Sequence, residues 1–318
     1  MQRRDFLLNS VAALGSPLLT GMAHAGGNSH SSTANSTYHV FGVPLRSGSL
    51  VPGNENDAQA YRDVQLVSRL QAAGCDVFDE GDVAIPSYLP HHFVPPIRNW
   101  PGPRIVWDCI SDRIAPCLRQ AGQIPFLIGC DCSVVVGTTQ ALMRTPSEDI
   151  HVLYIDGDFD DAAPDAKQCN SAAACAVWLL TNDSPFWAGP ALRPANVSVI
   201  GWSSPSRSAK SGLGSISLAE VRRAGPVAAA QHALQMIPGS ASILLHFDSD
   251  VVQARELPSA YFPHEEGLTL SEAGQLLRVF LSDLRIRIIE LSEYASLRDF
   301  DHGYVTKLVS LFADGLQK

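Results

Sequence analysis

Clusters of Lys and Arg are missing from this sequence. Charged residues make up only 17% of its 318 positions, and the balance is acidic, with a formal net charge of −9. A chain without basic patches is not expected to take nucleic acid as a partner. Its acidic surface would help a cationic ligand only by steering it. A disulfide framework is missing as well. The seven Cys, at 75, 109, 117, 130, 132, 169 and 175, are odd in number and lack a regular spacing. Most of them sit inside hydrophobic segments, where Cys packs as a small apolar residue. No internal repeat is visible, the five Trp have no spacing that suggests a cofactor or sugar platform, and no apolar run is long enough to span a bilayer. What is present is a chain 46% hydrophobic, enough for a sizeable core in one large α/β domain.

The first 25 residues read as a targeting segment. Arg3 and Arg4 precede Phe6 and Leu7, an apolar small-residue run follows, and Ala23-His24-Ala25 forms an A-x-A cleavage signature. The Arg-Arg-x-Phe-Leu pattern resembles a bacterial twin-arginine export signal; an ordinary secretory signal or a chance amphipathic start is the competing reading. Asn9, Gly15 and Pro17 interrupt the run. The expectation is a periplasmic or secreted protein, exported already folded and with any metal in place. Residues 26–37 (GGNSHSSTANST) read as a disordered leader.

Beyond it, strands alternate with amphipathic helices. Strands are expected at 38–44, 75–81, 124–129, 151–156, 197–201, 242–248 and 286–291. Helices are expected at 58–74, 105–122 with a bend at Pro116, 133–143, 173–181, 270–282 and 304–316, with a Pro-rich loop over 86–103. Continuous apolar strands alternating with helices imply an α/β fold of three layers, α/β/α, built on a mostly parallel sheet covered on both faces. No linker divides 38–318, so one domain is expected.

In such sheets the ligand crevice lies beyond the carboxyl ends of the strands, and the unusual residues stand there. Strand 124–129 runs into Cys130-Asp131-Cys132-Ser133. Strand 151–156 ends in Asp156, Asp158 and Asp160, strand 242–248 in Asp248-Ser249-Asp250, and strand 286–291 in Ser292-Glu293. A solvated surface run would make an isolated DGDFDD harmless. Here the acids follow buried strands and recur as D-x-D on a second one. Like charges this close cannot all stay ionised in a partly dry cleft without a cation. Oxygen-rich donors with one softer neighbour suit a divalent ion, Mn2+ first among the candidates, and two facing D-x-D elements could hold one or two ions.

Four of these segments, IGCDCSVVVGT, VLYIDGDFD, LHFDSD and ELSEYASLRDFDHG, resemble the ureohydrolase family of arginases, agmatinases and formimidoylglutamases. That family shows G-G-D-H-S, D-A-H-x-D, S-F-D-x-D and E-x-x-E-Y/V-N-P in the same order and spacing. FGVPLRSGS, GCDVFDEGDV and GLTLSEAGQLLR are weaker echoes, so the likeness spans nearly all of 38–318. It implies an arginase-like sheet of about eight strands. It also implies hydrolysis of a C–N bond in a small cationic guanidino or amidino compound by metal-activated hydroxide, and a trimeric or hexameric assembly. Carried over position by position, Asp156 and Asp248 would bridge two metals, Asp160 would complete the first site and Asp250 the second, with Cys132 and Asp158 at the remaining ligand positions. Glu293 would grip the guanidinium. Glu293 and Asp158 are the candidate catalytic residues, and Glu293 and Asn170 the candidate substrate contacts, Asn170 as an amide facing a substrate carboxylate.

The pattern breaks at both family His ligands, which are Cys132 and Asp158 here. Five Asp and a thiolate give about −6 against +4 from two divalent ions, where two neutral His would give about −4. One metal is lost, or Cys132 or Asp158 is protonated, or the excess negative charge serves a cationic substrate; a raised pH optimum or slow turnover is expected. The proton-shuttling His falls near Ala172-Ala173, the acid that reads an α-amino group near Ser206, and the family's Asn-Pro and Asp-Pro at Ala295-Ser296 and Gln253-Ala254. Ordinary arginine specificity is therefore not expected. The alternative is a catalytically silent relative that binds a cation or small ligand. His246 and Asp131 are expected to support the ligands by hydrogen bonding rather than to bind metal, and Cys130 could instead form a redox pair with Cys169.

Overall fold

The computed structural model describes residues 36–317, apart from 52, 54, 130, 147–148 and 204–211. The targeting segment, most of the leader, Ser206 and the Cys130 half of the redox pair lie outside the described residues. Thr37, read as the last leader residue, already belongs to the first strand, β1 (Thr37–Gly42).

Eight parallel strands form one sheet, which confirms the expected architecture. They are β1, β2 (Asp76–Asp82), β3 (Gln123–Ile128), β4 (Ile150–Ile155), β5 (Val197–Ile200), β6 (Gly214–Ile216), β7 (Ser242–Asp248) and β8 (Ile286–Ser292). Their order is β2-β1-β3-β8-β7-β4-β5-β6. Helices α1 (Asp57–Asp63), α2 (Leu66–Ala72), α6 (Leu218–Ala224), α7 (Pro226–Met236), α8 (Leu270–Leu281) and α9 (Gly303–Leu316) cover one face. Helices α3 (Gly102–Leu118), α4 (Val134–Leu142) and α5 (Ala176–Thr181) cover the other.

Alternation along the strands decides which face each side chain joins. Leu153, Ile155, Ile243, Leu245, Phe247, Ile289 and Leu291 pack under α7–α9. Val152, Tyr154, Leu244 and Ile288 pack under α3–α5. On this second face the last turns of three neighbouring strands become polar. Register pairs Tyr154 with His246 and His246 with Glu290 in one row. Two residues further on, Asp248 pairs with Ser292, and Asp156 follows Tyr154 at the same spacing. The apolar core thus turns into a polar floor within one strand repeat.

The helix expected over 58–74 is two helices. Gln65 adopts φ 62° between α1 and α2. The break re-phases the chain: α1 buries Ala58 and Tyr61, whereas α2 buries Leu66 and Leu70, positions that an unbroken helix continuing from Tyr61 would not align. Pro116 is accommodated in the last turn of α3. The turn at 173–175 is a 3-10 segment leading into α5. Three elements have no counterpart in the sequence reading: β6, only three residues long with Gly214 as its first, and the helices α6 and α7, the latter too Ala-rich for a clear apolar stripe.

Gln65 is exposed and strained in the left-handed region, which costs an L-residue roughly 1–2 kcal/mol. Gln65→Gly is expected to stabilise the fold by about 1 kcal/mol, read as a higher urea midpoint at unchanged m-value. A lower midpoint would mean that the αL turn is not strained.

Candidate metal centre

The strands that carry the expected acids, β3, β8, β7 and β4, are consecutive neighbours in the sheet. Being parallel, they release their chains at the same edge, and the four segments converge there. At the end of β3 the backbone turns through Gly129 at φ +83°, where a Cβ would stand 3.0 Å from the Ala58 nitrogen and 3.1 Å from the Val43 oxygen. Only glycine fits this turn, and it delivers Asp131 and Cys132 beneath the N-terminus of α4. Glu293 leaves β8 at φ 58°, an uncommon conformation for a non-glycine residue that marks a site held by its surroundings.

Asp156 (1% exposed), Asp248 (2%) and Asp250 (4%) offer carboxylate oxygens within 4.8 Å of one another. Cys132, Asp156 and His246 form a second such group. Backbone amides orient the acids: Asp158 N donates to Asp156 Oδ1 at 2.6 Å, Asp250 N to Asp248 Oδ1 at 2.7 Å, and Gly157 N to Asp250 Oδ1 at 3.2 Å. The Cys132 thiol donates to Asp248 Oδ2 at 2.7 Å, and Cys132 N donates to Glu293 Oε1 at 3.1 Å. Among the described residues, Asp156 Oδ2 and Glu293 Oε2 at this dry site have no partner. An unpaired buried carboxylate oxygen is costly, and each would be satisfied by a cation. The residues fit a divalent ion on that ground.

Electrostatics give the same answer. Burial first, then Asp250, Asp160 and Asp248, hold the Asp156 carboxyl well above the usual range. Burial, then Asp250 and Glu293, do the same to Asp248, and burial, then Asp131 and Asp250, to Glu293. The Cys132 thiol is pushed well up by burial and then by Asp248. At about 4 Å and protein-like screening, one like-charged pair repels by roughly 4 kcal/mol. Without a cation these groups hold protons; with one they can ionise.

Asp158 and Asp160 line the cavity above this floor but stand outside both tight groups. Tyr154 Oη donates to Asp160 Oδ2 at 2.7 Å, and Asp158 lies 3.5 Å from His264 Nε2. Of the six expected metal residues, the structure therefore gathers four closely and leaves two at the wall. Asn170 is not brought to the cavity. Its amide donates to the Ala163 carbonyl at 3.1 Å, because the backbone at Asn170 is bridged to the Pro-rich loop at Pro96 and Arg98, and its neighbour Ser171 lines the wall instead. Asp131 accepts from Gly48 N and from Ser133, whose hydroxyl also accepts from the Trp107 indole. Cys169 faces the Val94 carbonyl, and none of the described Cys is disulfide-bonded.

The cavity is about 490 Å3 and its upper wall is mostly apolar: Leu50, Ala173, Ala174, Tyr261, Phe262 and Pro263. His264 lines it, 3.5 Å from Asp158 and 3.7 Å from Asp250, and the facing Asp250 carboxylate raises its pKa against burial. Gly157 makes room for that ring, since a Cβ there would lie 2.5 Å from His264 Cδ2. Tyr261 is fixed from behind: its hydroxyl donates to buried Asp57 at 2.8 Å, and the Arg46 guanidinium lies 4.2 Å over its ring. The sequence reading missed the 261–264 segment, which carries no acid or motif; its only signal is a His in an aromatic loop following the second D-x-D.

Comparison with known proteins agrees with this architecture. The Arginase family model matches residues 36–312. Arginase of Staphylococcus aureus (strain COL) is 20% identical over 293 residues, covering 88% of this chain and 96% of that protein. Arginase from Bacillus subtilis superposes with a TM-score of 0.77 at 19% identity, covering 89% of this chain and 99% of that one. Trypanosoma cruzi formiminoglutamase, crystallised with Mn2+, superposes at 0.70 with 17% identity, covering 90% and 95%.

The raised carboxyls make a pH prediction for metal-free protein. Groups held above their ordinary values, 3.8 for Asp and 4.5 for Glu, contribute stability that is fully present below those values. That contribution is lost as pH rises through the elevated folded values. Urea midpoints of chelated protein are therefore expected to fall behind those of Mn2+-supplemented protein progressively from acid to neutral pH. Parallel curves would contradict the account.

Proposed function

The chain belongs to the arginase family, and from that premise we propose that it is a metal-dependent hydrolase of a C–N bond in a guanidino or amidino compound. The observation that carries the reading is the pair of unpartnered buried oxygens, Asp156 Oδ2 and Glu293 Oε2, among the described residues. Asp156, Asp248 and Asp250 would hold divalent ions, Mn2+ first, with Cys132 at their base. When bound, such ions make water acidic enough to act near neutral pH and polarise the electrophile.

The rest is done by this chain's own side chains. Glu293 Oε1 is tied to the Cys132 amide, which leaves Oε2 to accept an N–H of a guanidinium and to fix its plane. The cavity wall would receive the remainder of the substrate against Tyr261, Phe262 and Pro263. No Lys or Arg lines this cavity among the described residues. A substrate carboxylate would meet no cation among those residues, so the reading favours guanidines whose remainder carries no carboxylate. The Arg3-Arg4 segment supports export from the cytoplasm as part of the same proposal.

One observation favours a second reading, a binder without turnover. Cys132 stands where a family His would, hydrogen-bonded to Asp248, and the resulting cluster is more anionic than the family pattern.

The test is a urea- and ammonia-release screen of Mn2+-loaded protein over arginine, agmatine, guanidinobutyrate and hydroxyarginine. Turnover is expected, with agmatine, which carries no carboxylate, ahead of arginine and guanidinobutyrate. Glu293→Gln should lower kcat/KM about 10–100-fold, the worth of a charged hydrogen bond. Ligand-dependent thermal stabilisation with no product from any compound would replace the hydrolase with the binder.

A further inference from the structure

Beneath the oxygen ligands lies a row of buried groups that the family pattern does not account for. His246 is fully buried on β7. Its Nδ1 meets Glu290 Oε2 at 2.6 Å, and its Nε2 faces Cys132 Sγ and Ser292 Oγ, each at 3.2 Å. The Tyr154 ring stacks on the imidazole with centroids 4.3 Å apart and an interplanar angle of 7°, fixing its plane. A carboxylate on one ring nitrogen, leaving the other nitrogen free to face a soft donor, is how proteins present a metal-ligating His. The substitution pattern matches. Position 132 has Cys where the resembled motif has His, and position 246 has His where S-F-D-x-D has Ser. The imidazole is not lost from the centre; it enters from β7 instead of from the loop after β3.

We propose that His246 and Cys132, with Asp156 shared, form a nitrogen–sulfur–oxygen half-site for a softer divalent ion of the Zn2+ class, beside an all-oxygen half-site of Asp156, Asp248 and Asp250 suited to Mn2+. This rests on the reading of the cluster as a metal centre and deepens it. The two triads, each with donor atoms within 4.8 Å, have Asp156 in common, and its unpartnered Oδ2 is free for one of the two ions. Thiolate and imidazole select Zn2+ or Co2+, and carboxylates select Mn2+ or Mg2+. The line Glu290–His246–Cys132 also resembles an activated thiol nucleophile. Cys132, however, is 1% exposed and does not line the cavity, so a substrate cannot reach its sulfur.

The experiment loads metal-free protein with Zn2+, Co2+ or Mn2+ alone. Zn X-ray absorption of the wild type is expected to show a sulfur neighbour at about 2.3 Å together with imidazole scattering. The Co2+ form should show a thiolate charge-transfer band that Cys132→Ser abolishes. His246→Gln and Glu290→Gln should weaken Co2+ binding about 10–100-fold and change Mn2+ binding less than threefold. If those variants do not fold, the wild-type absorption spectrum decides. A zinc shell of oxygen alone, or Co2+ binding with no thiolate band, would overturn the inference. The outcomes separate from the hydrolase reading: turnover with an all-oxygen zinc shell removes only the half-site, and a sulfur-ligated metal with no turnover removes only the hydrolase.

Discussion

Mutual repulsion among buried carboxylates is the constraint on which the rest of this molecule depends. Asp156, Asp248, Asp250 and Glu293 are each nearly inaccessible to water; the three Asp crowd together, and Glu293 lines the same cavity as Asp248 and Asp250. Burial and their neighbours push three of these carboxyls well above the ordinary carboxylate range. Such a pocket exists only if something positive neutralises it, protons at low pH or a metal ion at neutral pH. Among the described residues, no Lys or Arg lines this cavity to do so.

The sheet makes the repulsion unavoidable. Parallel strands in the order β3-β8-β7-β4 end at one edge, so residues far apart in the chain arrive together. The pleat then assigns them to one face, Tyr154, His246 and Glu290 in one row with Asp248 and Ser292 in the next. Backbone amides of the turns, at Asp158, Gly157 and Asp250, aim the oxygens. Apolar packing on the opposite face, around Phe247, Ile289 and Leu291, keeps the edge rigid while its last residues carry charge.

Much of this was legible in the chain. Alternating apolar strands specify a parallel sheet, and acids placed directly after strands specify where the chemistry sits, so Asp156, Asp248, Asp250, Cys132 and Glu293 could be named before any coordinates. What could not be read has physical causes. The turn at Gln65 depends on tertiary packing of Leu66 and Leu70, which overrides a continuous helical pattern. The position of Asn170 is set by its bridge to the Pro-rich loop, a long-range pairing invisible in local sequence. Asp158 and Asp160 follow Asp156 at D-x-D spacing, but the course of the turn, which places them on the cavity wall rather than in the tight group of Asp156, Asp248 and Asp250, is not legible in that spacing. Tyr261 and His264 reach the site through the Asp57–Arg46 network and the space above Gly157, neither of which leaves a motif. His246 was legible as a buried, hydrogen-bonded supporting residue; that it would meet Glu290 on one side and Cys132 on the other depends on strand register and long-range packing.

The most direct measurement is an anomalous-scattering map from crystals grown with Mn2+ at neutral pH. The account predicts a peak among Asp156, Asp248 and Asp250, with Asp156 Oδ2 turned toward it. A map without a peak in that pocket, from protein that remains folded at neutral pH in the presence of chelator, would contradict it.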